Sequence, residues 1–236
     1  MITYERQREI LNYLREKKFA TVSELAGVVW SSESSVRRDI KALELHGYVK
    51  QIYGGVVLPE YEHSVVPVSL RENSNSSIKE ELAKRAAEHI FDGATIIMDG
   101  SSTVRRIIKY IGGYKNLKII TNNQNLFGSC DNPEVKLYCT GGLFVPQSNI
   151  FVGSAAESYI GSINADLLFF SSQAISEEGE ISDASEEETA LRRVMLSRAK
   201  KKVFLCDSSK IGQKRTFTLC NKDDVDVIIC DKEIEW

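Results

Sequence analysis

Apolar residues recur every three or four positions through the first fifty residues, then after a break give way to short unbroken apolar runs separated by helical stretches. Over residues 3–17, Ile10, Leu11 and Leu14 form an inward stripe, with Arg6, Arg8, Arg15, Lys17 and Lys18 on the outer side. Thr21 and Glu24 have capping-box spacing ahead of Leu25, Ala26, Val28 and Val29, and this second helix breaks at Trp30-Ser31. Ser32 can cap a third helix that Gly47 closes. In it Val36, Ile40 and Leu43 share one face, while Ser34, Arg37, Arg38 and Lys41 share the other. Tyr48–Ile52 then alternates as a strand, Tyr53-Gly54-Gly55 turns, and Val56–Leu58 returns. Helix, turn, helix and a two-stranded wing predict a winged helix-turn-helix domain over residues 1–58.

Residues 59–76 lose both periods and predict a linker, with Pro59 and Pro67 inside it. A second domain follows over 77–236. Its first helix is expected to start from a Ser77–Glu80 capping box and to bury Ile78, Leu82, Ala83, Ala86, Ala87 and Ile90. Strands are expected at 95–98, 118–120, 135–139, 166–170, 203–206 and 225–230, with helices to Ile111, through Phe127 and over 186–199. Unbroken apolar strands alternating with helices predict a mostly parallel α/β sheet covered on both faces.

Charge narrows the function. The net charge is −3, and residues 1–60 hold nine Lys and Arg against eight Asp and Glu, so nucleic-acid binding must depend on where charges sit. Taken alone, the helix beginning at Ser32 reads first as a solvated surface helix, and its helix-turn-helix setting is what favours a DNA reader. On that reading Arg37, Arg38 and Lys41 reach phosphates and guanine edges, Ser34 and Ser35 reach base edges, and Lys50, Gln51 and Tyr53 place the wing on the backbone. Five cysteines form no C-x-x-C pair, and His46, His63 and His89 lack metal-ligand spacing, so no metal or cofactor is expected. Free thiols suit a reducing cytosol, and with no membrane-length apolar run or signal peptide the expected location is cytoplasmic.

In a parallel sheet, ligands bind beyond the carboxyl ends of the strands. Asp99-Gly100-Ser101-Ser102-Thr103 falls at such an end, with a glycine for close backbone approach, successive hydroxyls and an expected helix N-terminus. That loop alone suits a phosphate or a capped turn equally. Thr121-Asn122, Gly141-Gly142 and Asp207-Ser208-Ser209-Lys210 also end strands and would share the rim, and Lys210 adds a cation for a phosphorylated ligand.

The residues Arg6-x-x-x-Ile10-Leu11, Val22-Ser23-Glu24-Leu25-Ala26, Val36-Arg37-Arg38-Asp39-Ile40-x-x-Leu43-Glu44-x-x-Gly47 and Gly54-Gly55 resemble the DNA-binding domain of the DeoR family of bacterial transcription regulators. Further along, Arg71 with Lys79, Asp92-Gly93, Asp99-Gly100-Ser101-x-Thr103, Thr121-Asn122, Gly141-Gly142, Gly153, Asp166, Met195 and Asp207-x-Ser209-Lys210-x-Gly212 resemble that family's C-terminal sensor domain. The resemblance implies a sensor similar in fold to ribose-5-phosphate isomerase and glucosamine-6-phosphate deaminase, a sugar-phosphate effector, an operator duplex as partner, and a homo-oligomer, dimer or tetramer. It also implies a repressor of carbohydrate-metabolism genes. The chain departs from the family's pattern at Trp30-Ser31 (usually Gly-Val), at Gln51 and Tyr53 (usually Arg and His), at Ser171-Ser172-Gln173-Ala174 (usually a glycine-containing turn) and at Arg192 (commonly Lys).

Two other classes are compatible with the chain. One is a sugar-phosphate isomerase or deaminase with a DNA-binding head, in which Asp99, Glu188 and Lys210 would move protons. The other is a winged helix used for protein contacts. No assembled acid/base pair is visible for the first, and fold does not license function.

Overall fold

The structure, a computed structural model, describes residues 3–52, 54–59, 72, 75–146 and 148–234. Tyr53, Arg71 and most of the expected linker lie outside the described residues. The chain divides into two compact units, residues 1–66 and 67–236.

The first unit runs α1 (Thr3–Lys17), β1 (Phe19–Ala20), α2 (Val22–Val28), α3 (Glu33–Leu45), β2 (Lys50–Ile52) and β3 (Gly55–Val57). Both predicted caps form. Thr21 Oγ1 accepts from the Glu24 amide (3.1 Å) while Glu24 Oε2 accepts from the Thr21 amide (2.8 Å), and Ser32 Oγ accepts from the Ser35 amide (3.3 Å). Gly47, at φ +73°, lets the Tyr48 amide return to the Leu43 carbonyl (2.9 Å) and so closes α3. Ile10, Leu14, Leu25, Val36, Ile40 and Leu43 bury together with Val49 and Val56 as one core. The wing is a three-stranded antiparallel sheet in the order β1-β3-β2, one strand more than expected. Arg6 was expected to face solvent. It instead pairs with Asp39, which is buried on the packed side of α3, and its Nη2 lies 3.1 Å from Asp39 Oδ1.

The second unit opens with α4 (Ser76–Ala87) and is built on β4 (Thr95–Met98), β5 (Leu117–Thr121), β6 (Val135–Cys139), β7 (Leu143–Val145), β8 (Ile150–Val152), α5 (Ser154–Gly161), β9 (Ala165–Phe170), β10 (Ala174–Ile175), β11 (Glu180–Asp183), α6 (Glu186–Arg198), β12 (Ala199–Cys206), β13 (Phe217–Asn221) and β14 (Val227–Cys230). Six strands form one wholly parallel sheet in the order β14-β12-β9-β4-β5-β6. Side chains alternate between its faces as strand geometry requires. Ile96, Met98, Leu167, Phe169, Val203 and Leu205 pack with Leu82 and Ala86 of α4, whereas Ile97, Leu168, Phe170 and Phe204 pack with Ile160 of α5 and Leu191 and Met195 of α6. Strand order reverses between β4 and β9, which makes their carboxyl ends the switch point of the sheet.

Several local expectations are corrected. The Ser77–Glu80 capping box does not form; Asn75 takes the cap position at φ +51° with no side-chain cap bond, and Glu80 turns to Arg106 (2.8 Å), Lys109 (3.0 Å) and Tyr110 (2.8 Å). The helix expected after the Asp99 loop is a seven-residue 3₁₀ segment, Val104–Tyr110, and the one expected through Phe127 is a single 3₁₀ turn. Glu72 and Asn75, inside the expected linker, bond into the second unit: Arg105 Nη2 to Glu72 Oε1 (2.9 Å) and Asn75 Nδ2 to Asp207 Oδ1 (3.2 Å). The small antiparallel sheets β10-β11-β13 and β7-β8 were not expected at all.

Candidate functional site

In the first unit the outer face of α3 carries the predicted DNA readers. Ser34, Arg37, Arg38 and Lys41 are exposed and Ser35 is half-buried. Ser34 Oγ and Ser35 Oγ each lie 3.0 Å from Ser32 Oγ, a hydroxyl cluster at the first turn. Arg37 rests against Glu33 (3.3 Å) and Arg38 against Ser35 (3.4 Å), surface contacts of small energetic weight that leave both guanidinium groups at the protein surface. Lys50 is exposed on β2. Gln51 differs from expectation: Glu44 of α3 accepts from the Gln51 amide (2.7 Å) and from its side-chain Nε2 (2.5 Å). The Gln51 amide bond, ahead of the opposing effect of burial, holds the Glu44 carboxyl below its ordinary range. Glu44 and Gln51 thus clamp the wing to α3.

In the second unit the loops after all six parallel strands emerge on one rim, so Asp99, Asn122, Thr140, Ser171 and Asp207 share that side of the sheet. Asp99 and Ser171 follow the two strands at the switch point. The loop chemistry differs from the sequence reading residue by residue. Asp99 Oδ1 accepts from the Ser101 amide (3.0 Å) and Oδ2 from the Ser171 amide (3.1 Å) and from Arg192 Nε (2.8 Å). Its carboxylate is therefore a structural tie between two loops. Gly100 is required because Ile150 occupies the space a Cβ would take, which is a packing reason distinct from anion approach. Ser101 Oγ accepts from the Val104 amide (3.2 Å), capping the short 3₁₀ segment. Thr121 Oγ1 accepts from the Asn123 amide (3.0 Å), and Gly142, at φ +110°, lies against the Val152 carbonyl. Gly141 is also left-handed, at φ +64°.

Cations and hydroxyls gather around Ser102, with buried Thr103 beside it. Lys79 of α4, 4% exposed, brings Nζ to 3.4 Å from Ser102 Oγ. Lys210 Nζ lies 3.0 Å from Ser171 Oγ and 3.7 Å from Asp207 Oδ2. Burial works to raise the Asp207 pKa, but the combined pull of Lys210, Ser209, Lys79 and Asn75 holds it below the usual range. One carboxylate therefore feels both lysines, Lys210 more strongly than Lys79. Asn122 donates from Nδ2 to the Phe151 carbonyl (3.0 Å), while its buried Oδ1 has no partner among the described residues.

Lys79 and Arg192 were missed as site residues. Lys79 stands three and four residues before Leu82 and Ala83, on the apolar stripe of α4, and a lysine on a core stripe is a signal the sequence does carry. Arg192 Nε, Nη1 and Nη2 donate to Asp99, Asp183 (2.7 Å) and Glu188 (2.9 Å), with all four side chains buried. Burial disfavours the guanidinium charge, and the three carboxylates more than offset it, raising the Arg192 pKa. Glu188 also accepts from Ser148 Oγ (3.1 Å). Asp99 and Glu188, the proton carriers of an enzymatic reading, are thus both committed to Arg192. Among the described residues no group of His, Cys, Asp and Glu could hold a metal ion, and no helix is long and apolar enough to cross a membrane.

Comparison with known proteins agrees with both units. Residues 6–62 match the DeoR-like helix-turn-helix domain and residues 74–232 match the DeoR C terminal sensor domain. The HTH-type transcriptional regulator GolR of Listeria innocua is 33% identical over 99% of this chain and 92% of its own length. The HTH-type transcriptional repressor GlcR of Bacillus subtilis is 28% identical over 98% of this chain and 90% of its own. Among solved structures, ribose 5-phosphate isomerase of Methanocaldococcus jannaschii aligns over 58% of this chain and little more than half (55%) of its own, with 17% identity and a TM-score of 0.43. Two matched domains in the right order, across nearly the whole chain, settle the family: this chain belongs to the DeoR family of transcriptional regulators.

Proposed function

We propose that this regulator is a repressor of carbohydrate-metabolism genes whose operator affinity is set by a phosphorylated sugar held at the rim of the parallel sheet. The observation that carries the effector reading is the two lysines on the rim, buried Lys79 against Ser102 and Lys210 against Ser171 and Asp207. Ammonium groups and hydroxyl donors along this rim are the chemistry that complements a phosphate. The unpartnered Asn122 Oδ1 on the same rim supplies an acceptor for a sugar hydroxyl. Asp99, Thr121, Gly141 and Gly142 build the rim, and Ser102, Thr103, Asn122 and Lys210 face the ligand together with Lys79.

On the DNA side, Arg37, Arg38 and Lys41 reach phosphates and guanine edges from α3, with Ser34 and Ser35 at the first turn and Lys50 on the wing. A homo-oligomer, a dimer or tetramer, sets two such helices on successive turns of the major groove. Arg38→Ala should weaken binding to a duplex spanning the region upstream of the protein's own gene by about 1–3 kcal/mol, read by gel shift. Repeating the titration with a panel of pentose and hexose phosphates, and with the unphosphorylated sugars, tests the effector. Release from DNA by a phosphorylated sugar alone supports the reading; indifference to every phosphorylated sugar refutes it.

A further inference from the structure

The ends of β12 and β14 hold a feature that the regulatory reading does not use. Cys206 and Cys230 are in-register partners on adjacent parallel strands, so their side chains share one face of the sheet. Strands in a sheet lie about 4.8 Å apart, inside the span a disulfide bridges. Both thiols are free and buried. Cys206 Sγ lies 3.4 Å from the Asp207 carbonyl oxygen and Cys230 Sγ lies 3.6 Å from Asp231 Oδ1.

The two sulfurs are not equivalent. Cys206 is wholly enclosed, but Cys230 lines a cleft of about 470 Å³ together with Arg85, Asp231 and Lys232. Arg85 Nη1 donates to the Cys230 carbonyl (2.7 Å), which fixes a guanidinium at the cleft wall. The neighbouring Cys206 thiol, ahead of the opposing effect of burial, holds the Cys230 thiol below its ordinary range. Hydrogen bonding to Cys230 and burial push the Cys206 thiol upward. A cysteine at the wall of a cleft, with a fully enclosed cysteine in register beside it, is the arrangement of an attacking and a resolving cysteine. The pair lies directly beside the Asp207–Lys210 loop, because Asp231 accepts from the Ser208 amide (2.6 Å) and from Ser208 Oγ (2.9 Å).

We infer that Cys230 and Cys206 form a peroxide-reactive dithiol, with Cys230 the attacking sulfur and Cys206 its resolving partner. The Cys230 thiolate attacks one peroxide oxygen, the O–O bond breaks, and Cys230 becomes a sulfenic acid while the departing hydroxide takes a proton and leaves as water. Cys206 sulfur then attacks the sulfenic sulfur. The S–S bond forms as the S–OH bond breaks, and the Cys206 thiol proton leaves with that hydroxide as a second water. The peroxide gains two electrons and the thiol pair loses two.

The test treats the full chain with hydrogen peroxide and maps its peptides by mass spectrometry. The expected product is a Cys206–Cys230 cross-linked pair, lighter by two hydrogens and reopened by dithiothreitol. Cys220 is an internal control, since burial pushes its thiol up to about 12. Cys230 should be consumed at least about tenfold faster than Cys220. In C206S, dimedone should trap Cys230 as its sulfenic acid, and in C230S Cys206 should stay unmodified. Peroxide that oxidises exposed Cys139 in the unsubstituted chain while leaving Cys206 and Cys230 as thiols would overturn the inference, as would pairing of Cys230 with any other cysteine. The peptide map of the unsubstituted chain needs no variant, so it decides the inference even where either substitution impairs folding.

Discussion

Trp30 occupies a backbone conformation that resists it. It stands just past the end of α2 at φ +46°, and the Ser31 amide reaches back to the Ala26 carbonyl (3.0 Å) in the closing pattern that glycine ordinarily serves. For a bulky L-residue the left-handed region costs roughly 1–2 kcal/mol. The indole is 92% exposed and so recovers none of that through core burial. Trp30→Gly should therefore stabilise the protein despite glycine's greater freedom when unfolded, by a net amount on the order of 0.5–1 kcal/mol. Urea denaturation followed by circular dichroism checks the sign. A fall in the midpoint would mean that the indole makes a stabilising contact its exposure does not suggest.

At the scale of elements, the Arg6–Asp39 pair is what joins α1 to the recognition helix by charge. Asp39 lies on the packed side of α3, three residues from Val36 and one from Ile40, and Arg6 and Gln7 both reach it from α1. Arg6→Ala would leave a carboxylate buried at 3% exposure with only a long bond from Gln7 (3.5 Å), so a loss of about 3 kcal/mol is expected. Arg6→Ala with Asp39→Leu should recover most of it, because the uncompensated charge is then gone. Thermal denaturation of the single and double variants decides the matter. The sequence could show α1 and its stripe but not this pair, since a buried acid on an amphipathic helix looks polar until the facing helix is placed. The same limit explains the rest. The six parallel strands were legible because each carries a run of apolar residues, whereas β11 buries Ser182 and Asp183 and so shows no period. The rim loops were legible as strand ends. Their inner wiring was not, because Arg192 meets Asp99 across 93 residues and Lys210 meets Ser171 across 39.

For the whole molecule, with a net charge of −3, the proposed contacts from Arg37, Arg38 and Lys41 would make duplex affinity depend on local cations and fall steeply with salt. The effector control proposed above would appear as a coupling free energy between two sites, and coupling is reciprocal. If a sugar phosphate weakens operator binding tenfold, operator-saturated protein must bind that sugar phosphate tenfold more weakly, a coupling of about 1.4 kcal/mol. On the proposed reading Lys210→Ala removes a ligand contact without touching α3, so it should leave operator affinity in the absence of sugar unchanged while abolishing the shift in its presence. Measuring both affinities at one salt concentration, by gel shift and by calorimetry, gives two independent values of the same factor. Equal factors that vanish together in Lys210→Ala place the sensor at this rim. A factor that survives the substitution moves the sensor elsewhere, because no ligand can shift an equilibrium through a contact it has lost.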